Sequence, residues 1–181
     1  RITDHSAIQF RMLNRSKGAA MWSPRAQCDK REFSQAWRRT LENTHKLYLW
    51  QDSVTEILFD TSGEKPRVRG VKTRMGVEFE TSRVVLTAGT FLDGVMHCGE
   101  AHAEGGRAGD QASHGITETL RAMGFECGRM KTGTPVRLDA RTINFEALEV
   151  QEGDAEPSKF SFDPDTEPVK NQLPCFLVYT S

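Results

Sequence analysis

The stretch Val84-Val-Leu-Thr-Ala-Gly-Thr-Phe-Leu-Asp-Gly94 constrains the fold more than any other part of the chain. It opens as a strand, then sheds its bulk through Thr87, Ala88, Gly89 and Thr90. A strand that only fills a core keeps its large side chains. Small residues at the carboxyl end let a backbone pass close to something, and in open α/β sheets ligands sit beyond that end. The feature by itself leaves two readings, a ligand or a tight turn.

The rest of the chain narrows the choice. Ser23-Pro24 reads as a helix start, a capping serine before a proline that has no N–H to leave unpaired. Ala26, Phe33, Trp37 and Leu41 form one apolar stripe, so a helix is expected to run from there to about Asn43. Trp37 could stack on a base, but at this spacing it reads as core. Strands are expected at Leu47–Trp50, at Val54–Phe59, through Val68, Val71 and Thr73, at Val77–Glu80 across a Met75-Gly76 turn, and at Arg83–Thr87. A three-stranded antiparallel meander returning to a core strand is unusual in a plain βαβ domain and is used by one class of dinucleotide-binding domains. The glycine-rich run Glu104–Asp110 then leads to Ser113, a candidate cap for a helix carrying Ile116, Leu120 and Met123 and closed by Gly124. A glycine-led helix start is a natural anion site, although an ordinary cap explains Ser113 equally. Phe125–Leu138 reads as two short strands around Lys131-Thr-Gly-Thr-Pro135.

Other classes are disfavoured. No apolar run approaches the ~20 residues that span a bilayer. Cys28, Cys98, Cys127 and Cys175 are far apart and form no C-x-x-C pair, which argues against zinc or a disulfide framework and fits a reducing cytoplasm. There is no G-x-G-x-x-G and no P-loop. The net charge of −1 conceals an asymmetry. Eight Lys or Arg but only Asp29 and Glu32 lie between Arg11 and Arg39, a footprint for RNA or simply a solvated face. Eight acids and Lys159 lie between Phe145 and Pro168, which reads as a solvated loop. The opening, without Met and with Ile8, Phe10, Met12 and Leu13, reads as the inside of a domain, so a segment of a longer protein is expected.

Several segments together resemble the GidA/MnmG family of FAD-dependent tRNA uridine 5-carboxymethylaminomethyl modification enzymes. They are Ile8–Gly18, Ser23–Gln27 with Asp29, Val85–Gly94, Gly105–Gly109 with Ser113, and Gly128–Pro135 with Arg137 and Asp139. They stand in the family's order and spacing over nearly the whole chain, and Ala19 replaces a proline usual in the family.

The resemblance implies an α/β fold, a partial FAD/NAD(P)-binding Rossmann-like domain with the three-stranded meander, followed by the start of an inserted, mainly β domain. Residues 1–128 would belong to the first and 129–181 to the second. Val54 matches a residue that meets the adenosine end of FAD, Ser113 matches a second FAD contact, and Thr87, Ala88, Gly89 and Thr90 match the strand end that passes close to the dinucleotide. No cysteine stands in a matching catalytic motif, so no catalytic residue is assigned and each cysteine is expected to be a small buried hydrophobe. For the whole enzyme the resemblance implies a tRNA substrate, a GTPase partner, NADH as reductant, methylene-tetrahydrofolate as one-carbon donor, and a homodimer. This segment alone would be inactive, hold FAD weakly or not at all, and expose core surface. The alternatives are a folate- and FAD-dependent tRNA uracil methyltransferase and a cofactor-free RNA-binding module.

Overall fold

The computed structural model describes residues 1–133 and 138–179. In chain order the elements are α1 (Ile2–Ser6), β1 (Ala7–Leu13), β2 (Ser23–Cys28), α2 (Lys30–Glu42), β3 (Val54–Asp60), β4 (Arg67–Thr73) and β5 (Glu78–Glu80). Then follow β6 (Val95–Cys98), β7 (Ala101–Glu104), α3 (Ile116–Ala122), β8 (Glu149–Gln151) and β9 (Cys175–Leu177). The fold is mixed α/β, and the four small sheets among the described residues are antiparallel.

The chain divides into two compact units. One takes Arg1–Leu49 with the described residues of 137–181, the other the described residues of 50–136. The boundary expected after Gly128 coincides with neither edge, because the late segment packs on β1. Gln9, buried in β1, donates its amide to the carbonyls of Gln151 (3.0 Å) and Leu173 (3.1 Å). Phe10, 2% exposed, donates its N–H to the Gln172 side chain and meets Phe160 edge to face. The acidic stretch is therefore not simply a solvated loop: Asp154 accepts from Met12 N–H at 2.8 Å and pairs with Arg15 at 2.9 Å.

In this unit the helix starts later than expected. Ser23–Cys28 pairs with β1 instead, so Ala26 stands opposite Phe10 and leaves the apolar stripe. Asp29 is the true cap, its carboxylate accepting from the N–H groups of Arg31 and Glu32, both at 2.8 Å. Phe33 and Trp37 meet edge to face on α2, yet Trp37 stays 44% exposed, so it is not core here. The helix ends where expected, at Asn43. Leu47–Trp50 forms no strand, and Tyr48 is fully presented to solvent.

In the other unit the meander forms as expected. Ile57 pairs with Val71 and Val71 with Phe79, while Gly76 N–H closes the turn on Thr73 O at 2.9 Å. Two features differ. Arg83–Thr87 makes no ladder among the described residues, and Val85 is 85% exposed. The hairpin β6–β7 was not expected, since its residues alternate too weakly to read as strands. α3 closes as Gly124 predicts: Gly124 N–H bonds Arg121 O and Phe125 N–H bonds Leu120 O, satisfying the last carbonyls. No strand forms over Phe125–Gly133. Thr134, Pro135 and Arg137 of the expected late motif lie outside the described residues.

Candidate functional site

A shallow, open recess of about 270 Å³ lies within the 50–136 unit. One wall is the carboxyl end of the opening motif, with Thr87, Ala88, Phe91 and Leu92. The other is Val54 at the start of β3, with Ser113 and Ile116. Val85 and Leu86 complete the lining. Chain segments almost sixty residues apart thus meet.

Two backbone bonds join the walls. Ser113 N–H donates to Phe91 O at 2.8 Å and Asp93 N–H to Ser113 O at 2.9 Å, around a short parallel bridge between Leu92 and Ser113. Gly115 makes the approach to β3 possible. A Cβ at this residue would strike the Thr55 carbonyl oxygen, and its φ of +98° is one that other residues rarely adopt. Ser113 is thereby brought against β3, its hydroxyl 3.5 Å from Val54 O.

Of the six expected cofactor contacts, the recess brings together Val54, Thr87, Ala88 and Ser113. Gly89 and Thr90 lie beside it, and the Thr90 hydroxyl is turned to Gly106 O at 3.1 Å. Ser113 does not cap α3. Gly115 occupies that position without a side-chain bond, because Ser113 is held in the bridge to Leu92. The expected anion site at a glycine-led helix start is not formed as such: α3 has only seven residues, and the glycine loop closes on its own ion pair, Arg107 with Asp110. Among the described residues the lining carries no charge.

A charged cluster that the sequence did not single out flanks the recess. His114, next to Ser113, places Nδ1 2.9 Å from the Asp93 carboxylate and Nε2 3.4 Å from that of Glu104. The hydrogen bond with Asp93 first, and the charge of Glu104 after it, raise the His114 pKa above its usual value. Asp93 is held below the usual carboxylate range by the Thr117 hydroxyl first and by His114 next. The adjacency of His114 to Ser113 and of Asp93 to Leu92 was the available signal.

The cysteines are free, and none is the buried hydrophobe expected: Cys98 is exposed at a hairpin end, and Cys28, Cys127 and Cys175 are half-buried. No group of three metal-ligating side chains occurs among the described residues. No helix among them is long and apolar enough to cross a membrane.

The family model described as glucose inhibited division protein A matches residues 1–181. The chain belongs to this family. Relatives named tRNA uridine 5-carboxymethylaminomethyl modification enzyme MnmG are 52% identical in Porphyromonas gingivalis, 51% in Bacteroides thetaiotaomicron and 47% in Flavobacterium johnsoniae. Each match runs over 180 residues, 99% of this chain but 28% of the relative, so the chain spans little more than a quarter of their length. Among solved structures, GidA of Aquifex aeolicus superposes with a TM-score of 0.81 at 42% identity, covering 97% of this chain and 30% of that one. The antiparallel α/β arrangement is thus that of a GidA segment.

Proposed function

We propose that this chain is the FAD-binding segment of an enzyme that, with a GTPase partner, adds a carboxymethylaminomethyl or aminomethyl group to C5 of the wobble uridine of tRNA. The observation that carries this reading is the meeting of Val54, Thr87, Ala88 and Ser113 in one recess. At about 270 Å³ the recess is just under the ~300–1,000 Å³ of common ligand pockets, room for one end of a dinucleotide rather than all of it. Its uncharged lining fits a flat nucleoside better than a pyrophosphate. The Val54 main chain and the Ser113 hydroxyl would hold the adenosine end, while the small side chains of Thr87 and Ala88 leave room for the cofactor to pass. The rest of the pocket, completing the Rossmann-like domain of which this chain is part in our reading, would come from the remainder of the protein.

When bound, FAD supplies hydride-equivalent transfer between a nicotinamide and a carbon centre. We read NADH as reductant and methylene-tetrahydrofolate as one-carbon donor, in a homodimeric cytoplasmic enzyme. This chain's part is binding and orientation. Arg11 and Arg15 are already engaged with Glu152 O and Asp154, Arg25 with the Gln9 side chain and Arg38 with Glu42, which leaves Lys17, Lys30, Arg31 and Arg39 as the freer candidates for tRNA phosphates.

The test is flavin content of the full-length protein. It should purify yellow, and Ser113→Ala should lower FAD retention several-fold while leaving the fold intact. A colourless full-length protein that still binds tRNA would overturn the flavin reading in favour of an RNA-binding module.

A further inference from the structure

The cluster beside the recess has a chemistry of its own. A neutral imidazole carries one N–H, and its other nitrogen is an acceptor. Both ring nitrogens of His114 face carboxylate oxygens, Asp93 Oδ1 at 2.9 Å and Glu104 Oε2 at 3.4 Å. Nδ1 is hydrogen-bonded to Asp93, whereas Nε2 makes a longer ion-pair contact with Glu104; only the imidazolium is attracted to both, and in the neutral ring one lone pair would confront a carboxylate. These two acids lie on different segments, Asp93 on the turn that ends the Val84–Gly94 stretch and Glu104 at the end of β7.

The cluster also lies at the joint between the recess walls. Asp93 N–H bonds Ser113 O, and Ser113 N–H bonds Phe91 O, so the side-chain clamp repeats, one residue along, what the backbone does. Other charges are arranged around the same turn. Arg129 donates to Asp93 O at 2.8 Å, and Arg121 on α3 lends its charge to the Asp93 carboxylate. Arg107 and Asp110 in the neighbouring glycine loop pair with each other.

We propose that His114 is a positioning residue for the recess, held as an imidazolium between Asp93 and Glu104, and that loss of its proton loosens the joint between the two walls. Its consequence for a cofactor rests on the recess being a ligand site; the clamp itself does not. His114 is favoured in its charged form by the fold. The clamp is therefore complete below about pH 6.5, the value of a free histidine, and is lost as pH rises through the higher folded value. A recess that needs both walls in register would bind its ligand more weakly on the alkaline side.

The test needs no ligand, so its failure and the failure of the flavin reading are separable. The full chain, with 13C-labelled histidine and 15N-labelled amides, is titrated by NMR. His114 should titrate above 6.5, and the amides of Ala88, Leu92 and Ser113 should move with the same midpoint. H114Q should abolish that shared transition. E104Q should lower the midpoint while keeping the amides coupled to it. A His114 midpoint at or below 6.5, or recess amides that titrate unchanged in H114Q, overturns the proposal. Should H114Q not fold, an unchanged midpoint in E104Q overturns it equally.

Discussion

The β3–β4–β5 meander and the Arg83–Thr87 run both read as strands, yet only the first forms a ladder among the described residues. In the meander each strand meets the next through a short connection, and Ile57 and Leu58 are 6% and 8% exposed. Arg83–Thr87 has the same apolar character but leaves Val85 almost wholly in solvent. An apolar run records that burial would be favourable. A ladder also needs a neighbour, and a neighbour close in sequence is reached at small loop-closure cost.

That comparison can be broken most directly in its cores. Ile57→Ala should cost about 2–5 kcal/mol through lost burial and an unfilled cavity, whereas Val85→Ala should stay within about 0.5 kcal/mol. Urea unfolding of the full chain measures both; equal losses would mean that Val85 is buried in solution. Next in size is Gly70→Ala. A Cβ there would strike the Phe79 carbonyl oxygen across the β4–β5 ladder, so about 1–3 kcal/mol should be lost, again read from urea midpoints.

A smaller effect contrasts local signals at the two candidate starts of α2. Asp29→Ala should cost about 1 kcal/mol by removing the cap of two N–H groups, and Ser23→Ala should be near neutral by the same measurement. A larger loss at Ser23 would restore the earlier helix start.

The smallest expected effect is a pH dependence at the meander turn. The Asp52 carboxylate is held below its usual pKa by the Thr73 hydroxyl first, then by the N–H groups of Met75 and Ser53. A depressed folded value means that its stabilisation is present above the unfolded pKa of about 3.9 and is lost as pH falls through the folded value. Asp52→Asn should therefore flatten the acid limb of the stability curve below about pH 4. An unchanged acid limb would show that the turn does not depend on this carboxylate.

The same logic separates what was legible in the site from what was not. Val54 and Ser113 could be marked from their segments, but their meeting depends on Gly115 passing close to Thr55, which no local pattern announces. Ser113 looked like a cap because serine commonly serves as one; the bridge to Leu92, a tertiary contact, claimed it instead. Ser23-Pro24 misled in the same way, since pairing with β1 outweighed a local helix signal. His114, Asp93 and Glu104 were each visible but dispersed, and only the folded turn brings both carboxylates within ion-pairing distance of the imidazole.

By itself, then, the sequence determined the family, the meander, the closing glycine of α3 and the small-residue end of the opening motif. These follow from residue type, spacing and contacts near in sequence. Tertiary structure alone decided that the 150–173 segment packs on β1, that Arg83–Thr87 stays unpaired here, and that Ser113 joins two walls instead of capping a helix. Those outcomes depend on which distant backbone groups become partners. A hydrogen-bond donor is satisfied by whichever acceptor the fold brings to it.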